Sequence, residues 1–187
     1  MLKYLITALI SFINICIVAS MIIIFQTEIA RNTAEAKINE QIIRQQIDQI
    51  VFEQDKHCLA MNIYFEARGD SISGQRAVAW VTLNRVKSEN FPNSICEVVY
   101  QAKLDSSGKP RLNQCQFSWF CDGKADKPKD TVLWQQANDV AAYVIRRHHH
   151  DTDPTDGATY YHADYVKPSW SRSFERTVKI DTHIFYR

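Results

Sequence analysis

Glu66 is the residue whose setting most invites chemistry. It follows Tyr64-Phe65 and precedes Ala67-Arg68-Gly69, where a helical pattern meets a turn signal. A carboxyl group set against aromatic rings is desolvated, which disfavours its anion, raises its pKa and keeps a proton available near neutral pH. Such an acid can protonate the leaving oxygen of a glycosidic bond. Ordinary hydrolysis of that bond uses a second carboxylate, and none stands out: Asp70, Glu97, Asp105 and Asp122 each sit where a cap, a turn or a solvated surface accounts for them. A Glu followed two residues later by Arg also fits a plain solvated helix end. No nucleophile elbow, P-loop, HExxH or dinucleotide fingerprint competes with it.

Other side chains suit binding rather than bond-breaking. Gln75, Asn84 and Arg85 fall at the spacing of one helix face and can hydrogen-bond sugar or peptide groups, or equally join helix to loop in a buried polar network. Phe117, Trp119, Tyr160, Tyr161 and Trp170 offer flat apolar faces with polar rims, on which sugar rings stack, although aromatics also fill cores. The run His148-His149-His150 with Asp151 and Asp153 invites a metal reading. Consecutive residues point in different directions, and cations are favoured at a helix C-terminus, so neither a metal nor a cofactor is expected. The formal charge of +1 makes no field that would argue for nucleic acid.

The elements that must position these residues can be read along the chain. Residues 5–25 form an apolar, uncharged run long enough to cross a bilayer as a helix, with Lys3 before it. That predicts a single-pass anchor in the cytoplasmic membrane (domain 1–26), with the remainder on the extracytoplasmic side. The rival is a cleavable signal peptide with Val18-Ala19-Ser20 as its site, but Ile22, Ile23, Ile24 and Phe25 prolong the run beyond it. Residues 27–55 read as a helical stalk. Ile29, Ala36, Ile43 and Ile50 recur every seven residues, but Thr33 and Glu40 interrupt the seam, so the stalk supports only weak self-association.

The domain proper, 56–187, opens with a helix ending near Gly69, and Ser73 is a plausible N-cap for a second. That second helix is apolar on nearly every side over 77–83 and should be central. Ser94 with Glu97 makes a capping box, 103–129 reads as an irregular stapled segment, and Asp130 or Thr131 caps a longer helix. TYYH, RTVKI and HIFYR are β-prone, with Asp181-Thr182 between the last two. Helices followed by strands make an α+β domain. Cys58, Cys96, Cys115 and Cys121 form an even set that suits two disulfides in an oxidising compartment; four cysteines allow three pairings, and all three stay open.

Taken together, NIYFEARGDSISGQRAVAWVTLNRVKSENFPNSICEVVYQ, CQFSWFCDG and DPTDGATYYHADYVKPSW resemble the SleB/CwlJ-type cell wall hydrolase family, over nearly all of 58–187. The resemblance implies a lysozyme-like or lytic-transglycosylase-like fold, two-lobed with a cleft, acting on the glycan strands of peptidoglycan. It also implies that the family's catalytic glutamate falls on Glu66. In members with lytic transglycosylase chemistry that one carboxyl acts first as acid and then as base, which favours transglycosylase over hydrolase here. Spore-associated members often carry a separate wall-binding repeat region, and no match to one occurs in this sequence, so cell wall remodelling or a phage-type endolysin role suits it better than cortex lysis. The alternative is a noncatalytic, membrane-tethered peptidoglycan-binding protein on the same fold.

Overall fold

The computed structural model describes the whole chain, Met1–Arg187. Helix α1 spans Leu2–Ala67, without a break at 26/27 or 55/56. Two compact units divide within it, Met1–Ile50 and Val51–Arg187. In the first, every residue is exposed, including the seam residues Ile29, Ala36, Ile43 and Ile50. Its apolar stretch has a mean hydropathy of 2.7 and is long and apolar enough to cross a membrane by length and composition.

The second unit is α+β. After the end of α1 come α2 (Ile72–Lys87), α3 (Ile95–Val99), a hairpin of β1 (Ala102–Leu104) and β2 (Pro110–Cys115), and a 3-10 turn over Ser118–Cys121. Then follow α4 (Thr131–Arg147), β3 (Tyr160–Ala163), a second 3-10 turn at Ser169–Arg172, β4 (Arg176–Ile180) and β5 (His183–Tyr186). The last three strands form an antiparallel sheet in the order β3-β5-β4.

Helix α2 is central because it is apolar all round. Ala79, Trp80 and Leu83 pack with Leu59 and Ile63 of α1, Val98 and Val99 of α3, and Ala141 and Val144 of α4. Its Ala77 and Val81 pack instead with Ala158 and Phe185 on the sheet side. Burying a side chain such as Leu59 contributes about 1.5–3 kcal/mol, so this two-sided packing holds helices and sheet to one frame.

The caps show where local signals were read well and where they were not. Ser94 accepts from Glu97 N and Asp130 accepts from Val132 N and Leu133 N, as their sequence settings imply. The N-cap of α2 is Ser71, not Ser73. Ser71 accepts from Gly74 N at 3.3 Å, and its own N–H and hydroxyl donate to Asp181 Oδ2 at 2.9 and 2.6 Å. Asp181 occupies the β4–β5 turn at φ 48°, and a side chain at Gly74 would collide with its carboxylate. Gly69 has no left-handed φ; α1 ends at Ala67, and Asp70 N closes the turn on Ala67 O at 3.0 Å. The segment 103–129, expected to be irregular, holds all of the β1–β2 hairpin but its first residue, Ala102.

Of the three possible pairings the fold takes Cys58–Cys96 and Cys115–Cys121, leaving Cys16 free and exposed. The first bridge ties α1 to α3 across 38 residues, a loop whose closure contributes about 4 kcal/mol in a chain-entropy account. The second fastens the end of β2 to the 3-10 turn that carries Trp119.

Candidate active site

Glu66 stands in the last turn of α1, half-buried, where two hollows of about 490 and 970 Å³ share it together with Ser118 and Tyr161. The smaller one is lined by Arg85, Phe117, Tyr160, Trp170 and Phe174. The larger includes Phe65, Trp119, Tyr165 and a group of charged side chains. The carboxyl therefore sits at the junction of a two-sided cleft. A separate hollow of about 700 Å³ between α2 and α4 has Asp139 as its carboxylate. That group accepts from Gln135 Nε2 at 2.9 Å on an exposed helix face, a setting without comparable desolvation.

Tyr161, on β3, donates its hydroxyl to Glu66 Oε2 at 3.0 Å. Burial pushes the Glu66 carboxyl above the ordinary carboxylate range; the Tyr161 hydrogen bond and the nearby Arg85 charge pull it part of the way back. Burial, then the Glu66 charge, drives the Tyr161 hydroxyl well up, so it stays protonated and remains a donor. The arrangement gives a carboxyl that holds its proton at higher pH than a solvated one, with a partner that stabilises it once the proton has left.

Arg85 is 3% exposed. Its Nε donates to Thr159 O at 2.7 Å, and its guanidinium lies between Phe91 and Phe117, 5.3 and 4.9 Å from the ring centroids. Its Nη1 is buried without a protein partner, and the residue contributes to the wall of the smaller hollow. Tyr160, Trp170 and Phe174 pack ring to ring at 4.3 to 6.1 Å beside it.

Trp119 is almost wholly buried. It stacks on Phe65 at 4.8 Å and donates Nε1 to Asn62 Oδ1 at 3.2 Å, so its main role is to floor the cleft. Phe117 is likewise mostly buried and reaches the smaller hollow beneath Arg85. Gln75 and Asn84 do not line either hollow. Gln75 is buried and donates Nε2 to Asp70 O at 3.2 Å. Asn84 donates to Asp153 Oδ2, Thr155 Oγ1 and Ala158 O at 2.8, 3.3 and 3.0 Å, clamping the loop before β3. The helix-to-loop alternative for these two residues is the arrangement the fold adopts.

Phe174 and His183 were not singled out from the sequence. Phe174 joins the smaller hollow; Asp70, weighed there as a solvated or turn carboxylate, is instead buried against His183 at 2.9 Å, and His183 stands edge-on to Tyr161 with centroids 5.1 Å apart. Asn62 lies one helical turn before Glu66, a spacing visible in the sequence, but its partner Trp119 is 57 residues away.

Comparison with known proteins identifies the family. A family model described as Cell Wall Hydrolase matches residues 69–186, beginning three residues after Glu66. A spore cortex-lytic enzyme of Bacillus cereus is 31% identical over 134 residues, which are 71% of this chain and 44% of that protein. Its namesake in Bacillus subtilis is 30% identical over 132 residues, 70% of this chain and 37% of that protein. The chain thus spans less than half the length of these curated relatives. The solved catalytic domain of the germination-specific lytic transglycosylase SleB from Bacillus anthracis is 30% identical, with a TM-score of 0.52, covering 71% of this chain and 93% of that one. With the model spanning most of 56–187 and the same fold in that solved domain, the chain belongs to the cell wall hydrolase family.

Proposed function

We propose that residues 56–187 are a catalytic domain that cuts the glycan strands of peptidoglycan by lytic transglycosylase chemistry, held at a membrane by residues 1–26 through the 27–55 stalk. The observation that carries the reading is the Glu66 carboxyl at the junction of the two hollows, half-buried, raised in pKa and hydrogen-bonded by Tyr161. The names of the similar proteins, cortex-lytic enzyme and lytic transglycosylase, support it. The anchor rests on the exposed apolar stretch of α1.

In this mechanism protonated Glu66 gives its proton to the bridging oxygen as the bond from the anomeric carbon breaks. The carboxylate left behind is stabilised by Tyr161 and Arg85, and then takes the proton of the sugar's own 6-hydroxyl as that oxygen attacks the anomeric carbon. Glu66 ends protonated, as it began, and no water is consumed. One protein carboxylate suffices. Arg85 lines the smaller arm beside the reacting sugars, and the aromatic wall takes the faces of the rings.

The test is a digest of purified sacculi by the full chain in detergent, with the fragments examined by mass spectrometry. Anhydro-ended muropeptides are the expected product. Reducing ends would replace transglycosylase with hydrolase chemistry, and bound but uncut glycan would make the protein a noncatalytic wall binder.

A further inference from the structure

The two arms of the cleft differ in how many charged side chains line them. The smaller, aromatic arm holds one cation, Arg85, which is buried, tied to Thr159 O and faced by the Glu66 charge. The larger arm is lined by Arg68, Lys124, Lys127 and Lys129, together with Asp122, Asp126 and Asp130.

The carboxylates of that arm are largely engaged. Asp122 pairs with Lys124 at 3.2 Å, and Asp130 is committed to the first turn of α4, accepting from Val132 N and Leu133 N. Burial, with Asp122 nearby, pushes the Asp126 carboxyl up. No ion pair joins Arg68, Lys127 or Lys129 to a carboxylate. Arg68 instead donates to Tyr64 O and lies over the Tyr64 ring at 5.2 Å.

These cations are also held in place relative to Glu66. The Tyr64 hydroxyl accepts from Lys129 N at 3.0 Å and Asp130 N at 3.1 Å, fastening the loop to α1 two residues before Glu66, and Pro128 stiffens the link between the lysines. A loop whose backbone is pinned in this way keeps its lysines on the arm that opens at Glu66.

We infer that the larger arm binds the carboxylates of the short peptides that hang from the glycan strand, through Lys127, Lys129 and Arg68, so that peptide-bearing strands are preferred over bare ones. The inference rests on the glycan-cutting reading above. Peptidoglycan sugars carry these acidic peptides on alternate residues, so of the two sugars that meet at the scissile bond one bears a peptide and the other does not. Lys127 and Lys129, free of ion pairs, with Arg68 beside them in one arm, and stacked rings in the other, match that difference.

The experiment compares two substrates for the full chain in detergent: glycan strands with their peptides, and the same strands stripped by an amidase. At low salt the wild type is expected to cut peptide-bearing strands about tenfold faster, and high salt is expected to erase most of the preference because exposed cations are screened. In Lys127→Ala/Lys129→Ala, whose thermal melting checks the fold, the ratio should fall to about one. A wild-type ratio near one, or a ratio unchanged in the double variant, overturns the inference while leaving the glycan-cutting reading intact. Failure to cut either strand overturns both.

Discussion

Residues 5–25 and 58–67 lie on the same helix and are almost equally apolar, yet the first stretch is exposed on every side and the second is nearly all buried. What separates them is what surrounds them. Around 58–67 stand α2, α3, α4 and the Trp119 turn, and even Asn62 is accommodated because Trp119 Nε1 and Thr82 Oγ1 satisfy it. Around 5–25 no protein packs, and the 21 residues are free of charge. Apolar composition alone marks a helix that must leave water; only the rest of the fold decides whether protein or lipid receives it.

That contrast can be broken or sharpened by substitution. Leu59→Ala, at a fully buried site, should cost the domain about 2–5 kcal/mol, whereas Ile15→Ala, 66% exposed, should change its unfolding in detergent by less than about 0.5 kcal/mol. Denaturant titration of the two variants checks this, and equal losses would erase the distinction between the stretches.

A smaller effect is expected at Tyr161, which reaches the buried end of α1 from β3. Tyr161→Phe removes the hydrogen bond that stabilises the Glu66 anion and should lower the cutting rate about tenfold. It should also move the alkaline limb of the pH–rate profile upward, because burial then acts on Glu66 with less opposition. A limb that stayed in place or moved down would contradict the assigned pairing.

The smallest effect concerns stability. The folded-state pKa of Glu66 is raised, so its contribution is complete below the unfolded value and is lost as pH rises through the folded one. Glu66→Gln should therefore be more stable than wild type at alkaline pH, by about 0.5–2 kcal/mol, and no more stable at acidic pH. Thermal melts at the two pH values read the difference.

Much of this was legible in the sequence. TYYH, RTVKI and HIFYR became β3, β4 and β5, and Ser94 and Asp130 cap the helices they precede, because these are signals spread over a few neighbouring residues. The hairpin in 103–129 was not legible, since β2 is almost wholly exposed and has no alternation of apolar and polar residues. Ser71 displaced Ser73 as cap because Asp181, 110 residues away, fixes it. The site divides in the same way. The aromatic-flanked, helix-end setting of Glu66 showed locally, but its partner Tyr161 lies 95 residues on and was read as a sugar-stacking or core ring, not as a hydrogen-bond donor to it. For Asn84 the sequence left ligand binding and a helix-to-loop network equally open, and the loop it clamps is visible only in the fold.

The central claim concerns one proton, and the most direct measurement compares wild type and Glu66→Gln, both full-length in detergent, for release of soluble fragments from purified sacculi. An amide keeps the shape of the side chain and removes its acidity, so the rate should fall by about 10²–10⁴-fold while binding to sacculi persists. A variant that cuts as fast as wild type would contradict the account.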